Sequence, residues 1–167
     1  MNDQNIIIRP ATVADIDRIM TILSEAADFM HSNGNPTQWA NGYPGRDRVE
    51  DDIRNGWSYV AENRKGVIVA TFALIPSPEP TYLHIFNGQW LSDTSYHVIH
   101  RMACTERRTG MATACLLWCM TQDTHLRADT HRDNIPMRSL LVRNGFTECG
   151  TIYQNDGSER LAFEINK

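Results

Sequence analysis

The 167-residue chain predicts a mixed α/β (α+β) fold, a sheet with helices on its faces, in a single domain covering residues 1–167. Three observations lead to this prediction. The length suits one domain with a sizeable core. No internal repeat, low-complexity tract or linker divides the sequence. The elements run from a β-rich first part into a β–α–β–α–β–β order, which is typical of helices packed on a mixed sheet.

The first part of the chain contains a strand-type hydrophobic pattern followed by a helix-type pattern. A β-branched run closed by Pro10 is typical of a strand. Apolar residues then recur every three or four positions behind a Thr12–Asp15 start, which predicts an amphipathic helix. The predicted elements are strand Ile6–Ile8, a helix from Thr12 to about Met30, helix Arg46–Arg54, and strands Trp57–Ala61 and Val67–Ile75.

The second part begins with a long irregular stretch, residues 76–94. A connection of this length in a small domain favours a functional lid or a binding loop. The segment Asn155–Ser158 has the residue types of a hairpin turn. The predicted elements are strand Tyr96–Cys104, a helix from Ala112 to about Thr124, strand Leu126–His131, helix Asn134–Asn144, and strands Phe146–Tyr153 and Arg160–Ile165.

Charge and hydropathy exclude some classes of protein. A net charge of −4 argues against a nucleic-acid-binding protein. The stretch from Arg101 to Arg143 nevertheless holds seven arginines and four acids, so it carries +3 and the rest −7. That distribution favours a compact polyanionic ligand. No apolar run is long enough for a membrane span, and the first residues do not have the pattern of a secretory signal. We therefore expect a cytoplasmic protein without a membrane partner.

The cysteine pattern predicts no metal site. The four cysteines include no Cys-x-x-Cys pair and no histidine at zinc-finger spacing. Cys115 and Cys119 lie one helical turn apart among apolar residues, which is typical of small buried side chains.

The segment Arg107–Thr113 carries the clearest chemical signal. It lies between a predicted strand and a predicted helix, and its glycine is followed directly by good helix formers. A helix N-terminus offers free backbone N–H groups and a positive dipole end, and the arginines add charge. Together these features predict a pyrophosphate site. The alternative is a solvated turn capped by Thr109.

Two motifs resemble the GNAT superfamily of acyl-CoA-dependent N-acetyltransferases. Arg107-x-x-Gly110-x-Ala112 matches that family's Arg/Gln-x-x-Gly-x-Gly/Ala signature, and it follows a strand as it does in the family. The later block Asp129–Asn134, followed by Asn144-Gly145-Phe146, is similar to the family's next strand and helix. The resemblance covers essentially the whole chain. It implies a mostly antiparallel twisted sheet of about six to seven strands with helices on both faces.

The resemblance also implies acetyl-CoA as cosubstrate. Main-chain N–H groups of residues 108–113 would hold the pyrophosphate, and the strand near Cys104 would pair with the pantetheine arm. Asn134 would bond the same arm, although an ordinary helix cap is the alternative role. The implied CoA-binding residues are Met102, Ala103, Cys104, Arg107, Arg108, Thr109, Gly110, Met111, Ala112, Thr113, Asn134 and Arg143.

Acyl transfer to an amine calls for a general base, because a lysine-like amine is almost entirely protonated at neutral pH. His100 is the first candidate, since alternation along its strand predicts the same face as Met102 and Cys104. Its position also resembles that of a histidine in arylalkylamine-type members of the family. Asp129 and His131 form the second candidate pair, at positions i and i+2 of one strand. For each, an ordinary structural role is the alternative.

The chain departs from the family pattern at one position. Many members have a tyrosine four residues before the glycine of the Gly-Phe pair, where it protonates the leaving thiolate, and here that residue is Leu141. Tyr153 and Tyr96 are conceivable substitutes, and no general acid is assigned.

The acceptor is the least defined part of the prediction. Aromatic residues in loops often line ligand sites, so Trp39, Tyr43 and Trp90 are candidate acceptor-binding residues, with core packing as the alternative. A polyamine, an amino acid, an antibiotic or a protein N-terminus would each suit such a pocket. Members of the family are often dimers, so a homodimer is one expectation, although no residue pattern here requires it.

Three functions remain open from the sequence. The first is an N-acetyltransferase that transfers acetyl directly to a primary amine in a ternary complex. The second is a non-catalytic acyl-CoA-binding sensor, which Leu141 favours. The third, a phosphate-loop nucleotide enzyme, is disfavoured because no Lys-Ser/Thr pair follows the glycine turn.

Overall fold

The computed structural model describes residues 5–107 and 109–167. Within them, seven strands and four α-helices follow one another along the chain. Their bounds are β1 Ile7–Pro10, α1 Ile16–Ser32, α2 Arg46–Arg54, β2 Ser58–Glu62, β3 Ile68–Pro76, β4 His97–Cys104, α3 Met111–Gln122, β5 His125–Thr130, α4 Ile135–Arg143, β6 Thr147–Tyr153 and β7 Glu159–Asn166.

The strands are hydrogen-bonded in the order β1-β2-β3-β4-β5-β7-β6. The pairs β1/β2, β2/β3, β5/β7 and β6/β7 are antiparallel, whereas β4 and β5 are parallel. A parallel neighbour requires a crossover connection, and α3 lies in that connection. The mostly antiparallel seven-stranded sheet with four helices confirms the predicted fold class.

The chain divides into two compact units, the described residues up to Leu74 with Arg101–Trp118, and Ile75–His100 with Cys119–Lys167. The prediction of a single domain from end to end therefore stays a prediction.

The core of the first unit is built by α1, α2 and the strands beside them. The apolar positions of α1 recur every three or four residues, so Ile19, Ile22 and Leu23 are buried together with Val49 of α2 and Val60 of β2. The helix is preceded by a 3₁₀ turn at Val13–Asp15. Asp15 accepts a 2.8 Å hydrogen bond from the backbone N–H of Thr12, which is the predicted acid-containing start of this helix.

The core of the second unit is aromatic. Tyr82 and Tyr96 are buried with Val98, Ile152 and Ala162. The irregular segment predicted between Pro76 and Thr94 contains only one short 3₁₀ turn, Pro80–Tyr82. It is fastened to β6, because the backbones of Phe86 and Thr151 exchange two 2.8 Å hydrogen bonds. At Gly88 an added Cβ would lie 1.8 Å from the carbonyl oxygen of Cys149, so only glycine permits this approach.

Two premises of the predicted strand faces do not hold, and the site roles built on them stay predictions. Strand β5 ends at Thr130, so His131 lies beyond it and the alternation that predicted a shared face for His131 and Asp129 does not reach that far. In β4, Arg101 has a positive φ of 54°, and this left-handed residue interrupts the alternation used to align His100 with Met102 and Cys104. Hydrophobic periodicity predicts neither the end of β5 at Thr130 nor the left-handed residue within β4.

Candidate active site

The predicted phosphate turn belongs to the first unit and ends in a left-handed glycine. Gly110 has φ +83°, and an added Cβ would meet no atom within 4 Å, so the space beside it is open. Helix α3 starts at the next residue, and its backbone ladder begins with a 2.9 Å bond from the Ala114 N–H to the Gly110 carbonyl. The N–H groups of residues 111–113 therefore come before the first hydrogen bond of the helix. This arrangement can receive an anion.

Two side chains of the turn, those of Arg107 and Thr109, contact other residues of the first unit. The Arg107 guanidinium lies over the ring of Phe29, with Cζ 2.9 Å from the ring centroid. Burial lowers the pKa of Arg107, an effect that the Cys104 thiol opposes. Thr109 donates from its hydroxyl to the Glu106 carbonyl at 3.4 Å. The predicted contact at Arg108 lies outside the described residues.

The strand that precedes the turn contains a buried ion pair at its irregularity. Arg101 donates from Nη2 to Asp52 Oδ2 at 2.6 Å and from Nη1 to the Tyr43 hydroxyl at 3.2 Å. These bonds hold a residue whose left-handed backbone is unfavourable by itself. Beyond it, Ala103 is buried, and Met102 and Cys104 are partly exposed.

The last two predicted CoA-binding residues lie in the second unit, on α4. The side chain of Asn134 accepts a 3.3 Å hydrogen bond from the Met137 N–H and so acts as a helix cap. Arg143 is exposed in the last turn of the helix, where a cation suits the dipole. Both residues therefore have ordinary helical roles, and CoA binding by them stays a prediction.

A cluster of polar side chains surrounds His100 in the second unit. The Nε2 atom of His100 lies 3.2 Å from Glu79 Oε2, and its Nδ1 atom lies 4.0 Å from Asp129 Oδ2. All three side chains are at least four-fifths buried. A neutral imidazole that donates from Nε2 to Glu79 keeps its lone pair on Nδ1, on the side of Asp129. The structure thus brings together His100 and Asp129, two of the three predicted catalytic residues.

Further side chains fix the two carboxylates. Tyr82 donates from its hydroxyl to Asp129 Oδ2 at 2.6 Å, and Gln154 donates to Asp129 Oδ1 at 3.3 Å. Thr81 donates to Glu79 Oε1 from its backbone at 3.2 Å and from its hydroxyl at 2.9 Å. We call the group Glu79, Tyr82, His100, Asp129 and Gln154 the His100 cluster.

The electrostatics of the His100 cluster follow from these contacts. Burial raises the pKa of Glu79, but the hydrogen bond and charge of His100, with the bonds from Thr81, outweigh it and bring the pKa to about 2. Burial and the neighbouring Asp129 both raise the pKa of Tyr82 well above 10, so its hydroxyl keeps its proton. The cluster therefore combines an ionised carboxylate, a protonated phenol and a histidine, a set suited to proton transfer.

His131 lies beyond the end of β5 and contacts Asp133. Its Nδ1 atom accepts a 3.0 Å hydrogen bond from the Asp133 N–H and lies 3.6 Å from the Asp133 carboxylate. Burial lowers the pKa of His131, and Arg160 adds to that effect. His131 remains the second candidate base by prediction alone.

The three aromatic residues predicted to bind the acceptor have different surroundings. Trp39 packs against the apolar core of the first unit. Tyr43 is 44% exposed, with its hydroxyl bonded to Arg101. Trp90, in the second unit, donates from its indole N–H to the Tyr82 carbonyl at 2.9 Å. Trp39 and Trp90 thus have the packing role that was the alternative, and acceptor binding by all three stays a prediction.

Comparison with solved structures shows the family. An acetyltransferase of the GNAT family from Streptococcus agalactiae is 33% identical to this chain, with a TM-score of 0.90 over 98% of this chain and 96% of the other. The chain belongs to the GNAT family of acetyltransferases. Scanning protein-family models gave no match. Searching curated proteins likewise gave none.

Two more distant GNAT-fold structures share the architecture. The ribosomal-protein-alanine N-acetyltransferase of Brucella melitensis is 23% identical, with a TM-score of 0.62 over 96% of this chain and 99% of the other. One chain of the NatC complex, in a structure bound to a Gag peptide and CoA, is 11% identical, with a TM-score of 0.64 over 97% of this chain and 98% of the other. At these identities the likeness is one of fold.

Membership in the GNAT family makes the residue at position 141 informative. Leu141 is 1% exposed and packed in the core, so the family's usual tyrosine position offers no proton donor here. Tyr96 is buried, and its hydroxyl accepts a 3.2 Å bond from the Glu79 N–H. Tyr153 is 43% exposed and meets Phe86 edge to face. Tyr82 lies in the irregular segment that was predicted to be a lid or binding loop, but its hydrogen bond to Asp129 was not predicted, because no motif places side chains there.

Two further structural findings concern membrane spans and metal ligands. Across residues 5–107 and 109–167, no helix combines the length and apolarity needed to cross a bilayer. In the same residues, His, Cys, Asp and Glu side chains form no group of three or more that could hold a metal ion.

Proposed function

We propose that this GNAT-family protein transfers the acetyl group of acetyl-CoA to a primary amine, with His100 as general base and both substrates bound at once. The observation that carries the proposal is the position of His100 between two carboxylates. Glu79 Oε2 lies 3.2 Å from Nε2, and Asp129 Oδ2 lies 4.0 Å from Nδ1. A carboxylate that fixes one ring nitrogen and frees the other is the arrangement of an oriented base.

The amine must lose a proton before it can attack. At pH 7 an amine with a pKa near 10.4 is neutral in only about one molecule in 2,500, a deficit of roughly 4–5 kcal/mol. In the proposed step the ammonium group donates to Asp129 Oδ2 and gives a proton to Nδ1 of His100. The nitrogen then forms a bond to the acetyl carbon as the carbon–sulfur bond breaks. The second proton of that nitrogen passes to the departing sulfur, so that CoA leaves as the thiol. The two carboxylates favour a cationic acceptor.

Direct transfer is supported by the state of the cysteines. Burial raises the pKa of Cys104 to about 11, although the charge of Arg107 opposes it, and burial raises the pKa of Cys119 to about 12. Burial also raises the pKa of Cys149 to about 11. A protonated buried thiol is a poor nucleophile. Intact mass measured after incubation with acetyl-CoA alone is expected to be unchanged; an added acetyl group on a cysteine would contradict direct transfer.

The Gly110 turn fits the pyrophosphate of CoA, because the space where a side chain would begin is open. In the proposal the backbone of residues 109–113 holds the diphosphate, with Asn134 on the pantetheine arm. CoA supplies the activated thioester when it is bound. The residues of this chain supply the anion site, the amine site and the base.

The chain offers a matched pair of variants that tests the turn. Gly110 and Gly157 both have φ +83° with nothing within 4 Å of an added Cβ, so Gly→Glu strains the backbone equally at both. Calorimetry with desulfo-CoA is expected to show at least about a tenfold weaker affinity, 1.4 kcal/mol, for Gly110→Glu. Gly157→Glu is expected to bind like the wild type. Equal affinities in the two variants would remove the turn from the CoA site.

Activity itself is tested by thiol release from acetyl-CoA with a panel of amines that includes polyamines, amino acids, aminoglycosides and peptide N-termini. Turnover with any acceptor supports the enzyme. The second candidate, a non-catalytic acyl-CoA sensor, is favoured by Leu141, which leaves the usual proton-donor position apolar. Tight desulfo-CoA binding without turnover across the panel would favour the sensor. A cytoplasmic location and a homodimer stay predictions from the sequence.

A further inference from the structure

The second unit also buries charged side chains that do not belong to the His100 cluster. Glu164 of β7 is completely buried and stands opposite Arg127 of β5 in the antiparallel register. Arg127 donates from Nε to Glu164 Oε1 at 3.0 Å, and His125 Nε2 is also hydrogen-bonded to Oε1. The proposed reaction uses none of these three groups. Burying an ion pair seldom adds net stability compared with apolar residues, so its presence calls for another explanation.

The buried pair is bonded to the irregular segment that carries Glu79 and Tyr82. Glu164 Oε2 accepts from the Leu91 N–H at 2.5 Å, and Arg127 Nη2 donates to the Ser92 carbonyl at 2.6 Å. The guanidinium of Arg127 also lies between two aromatic rings, with Cζ 4.0 Å from the centroid of each. These rings belong to Trp90 and Tyr96.

Each of the two rings is in turn bonded to the backbone of a residue in the His100 cluster. The indole N–H of Trp90 donates to the Tyr82 carbonyl at 2.9 Å, and the hydroxyl of Tyr96 accepts from the Glu79 N–H at 3.2 Å. The Tyr82 ring also packs on Trp90, with centroids 5.2 Å apart. The path from Glu164 therefore reaches both cluster residues of the irregular segment.

We propose that Glu164 and Arg127 are positioning residues, which hold Glu79 and Tyr82 in register with His100 and Asp129. The inference rests on the proposed function, because the register matters only if His100 transfers a proton. Within the segment, Glu79 caps the short 3₁₀ turn that contains Tyr82, and Phe86 is bonded to β6. The buried pair adds a further attachment at residues 90–92, which holds this turn from its other side. A paired carboxylate and guanidinium, with fixed bond directions, specify one arrangement where apolar packing would tolerate several.

Glu164→Gln tests the inference, with Glu159→Gln as its matched control. Glu159 lies on the same strand, and its carboxylate is paired with Arg132 at the surface. We expect Glu164→Gln to lower kcat by about tenfold or more while the KM for acetyl-CoA stays within about twofold, because the base loses its alignment and the cosubstrate site is unchanged. Glu159→Gln is expected to match the wild type. An unchanged kcat in folded Glu164→Gln protein would overturn the inference.

The variant Trp90→Phe tests the positioning role if Glu164→Gln does not fold. Trp90→Phe keeps an aromatic side chain at this position, smaller than the indole, and removes the N–H that bonds Tyr82. We expect kcat to fall by about threefold to tenfold, with the KM for the amine within about twofold. A raised amine KM with kcat unchanged would make Trp90 an acceptor contact and would overturn the positioning role.

Amide hydrogen exchange separates failure of this inference from failure of the proposed function. If wild-type protein acetylates no amine, the proposed function fails, and positioning is then judged on the Glu79 N–H alone. Its exchange is expected to be at least about tenfold faster in Glu164→Gln, or in Trp90→Phe if Glu164→Gln does not fold, than in Glu159→Gln. Equal exchange rates would refute the coupling between the buried pair and the cluster.

Discussion

The Gly110 turn and the His100 cluster differ in how far apart in the chain their parts lie. The turn is formed by consecutive residues, and its chemical groups are backbone amides at the start of α3. The His100 cluster joins residues from 79 to 154, and its chemical groups are side chains. A contiguous backbone site depends on one conformation at one glycine. A dispersed side-chain site depends on every element that brings a member to it.

This difference predicts opposite responses to mutation. Conservative side-chain changes are expected to be mild at the turn, where only the backbone of Gly110 is critical. They are expected to be severe in the His100 cluster, where a single lost proton acceptor or hydroxyl changes the chemistry. Four experiments, in order of decreasing expected effect, test this difference.

Replacing the candidate base should have the largest effect. We expect His100→Gln to lower kcat by about 100-fold and to abolish the acidic limb of the pH–rate profile, because base catalysis contributes about 10²–10⁴-fold. The matched control is His97→Gln on the same strand, where Nδ1 of His97 lies 2.6 Å from Asp123 Oδ2. Steady-state kinetics with the best acceptor provide the measurement. A similar loss of kcat in both variants would mean that substitutions in β4 disturb the strand, and that the loss in His100→Gln does not report a general base.

Removing the phenol hydroxyl of the cluster should have the next largest effect. Tyr82→Phe deletes the donor that lies 2.6 Å from Asp129 Oδ2. Leaving that buried acceptor unsatisfied is expected to lower the free energy of unfolding by about 1–3 kcal/mol. Urea unfolding measures this change. Tyr153→Phe, at an exposed ring, should stay within about 0.5 kcal/mol of the wild type; equal losses would contradict a special role for Tyr82.

Acid unfolding compares a carboxylate from each unit. The pKa of Glu79, ordinarily 4.5, falls to about 2. In the first unit the hydrogen bond from Arg9 lowers the pKa of Asp15 from 3.8 to about 2, although burial opposes it. A depressed pKa gives stability that is present above the ordinary value and is lost as pH falls toward about 2.

The wild type is therefore expected to lose unfolding free energy over this pH window, by about 1–2 kcal/mol for each group after solvent screening. Glu79→Gln and Asp15→Asn should each remove their own share. Thermal melts between pH 5 and pH 2 measure the difference. If both variants shift one common transition, the two units unfold together, whereas separate shifts would show that they unfold independently. A curve in Glu79→Gln that parallels the wild type would contradict the depressed pKa.

Changing a side chain of the turn should have the smallest effect. Arg107 lies over the Phe29 ring, an arrangement worth about 0.5–1 kcal/mol at an exposed site. Because its guanidinium is already engaged with that ring, we expect Arg107→Gln to weaken desulfo-CoA binding by only about twofold to fivefold, about 0.5–1 kcal/mol. Calorimetry measures the affinity for desulfo-CoA of Arg107→Gln and Gly110→Glu under the same conditions. A loss as large as that of Gly110→Glu would show that side-chain charge, and not the backbone, holds the diphosphate.

The sequence predicted those features that depend on local pattern. Apolar spacing predicted α1 and α2, Gly110 and the helix formers after it predicted the start of α3, and the Asn155–Ser158 turn predicted the β6–β7 hairpin. The seven-stranded sheet confirms the predicted fold class. The alternation of residues along β4 was a poor guide at Arg101. This residue is left-handed inside the strand, and its side chain forms a buried bond to Asp52.

The candidate base was found from sequence, but its partners were only partly found. His100 and Asp129 lie on strands and belong to motifs, so they could be selected. Glu79 and Tyr82 come from an irregular segment in which no periodicity predicts where a side chain lies. Gln154 follows β6 without any motif. An aromatic residue such as Trp90 has the same sequence signal whether it binds a ligand or packs in a core.

Local sequence patterns were sufficient to predict the order of helices and strands, the glycine turn at the start of α3 and a histidine on β4, because each depends on neighbours within a few residues. Long-range contacts in the folded chain determine which carboxylates meet that histidine and which buried ion pair holds the segment that carries Glu79 and Tyr82. Those contacts join residues 21 to 73 positions apart. The free energy of such a contact depends on distance and burial in the folded chain, which spacing along the sequence does not contain.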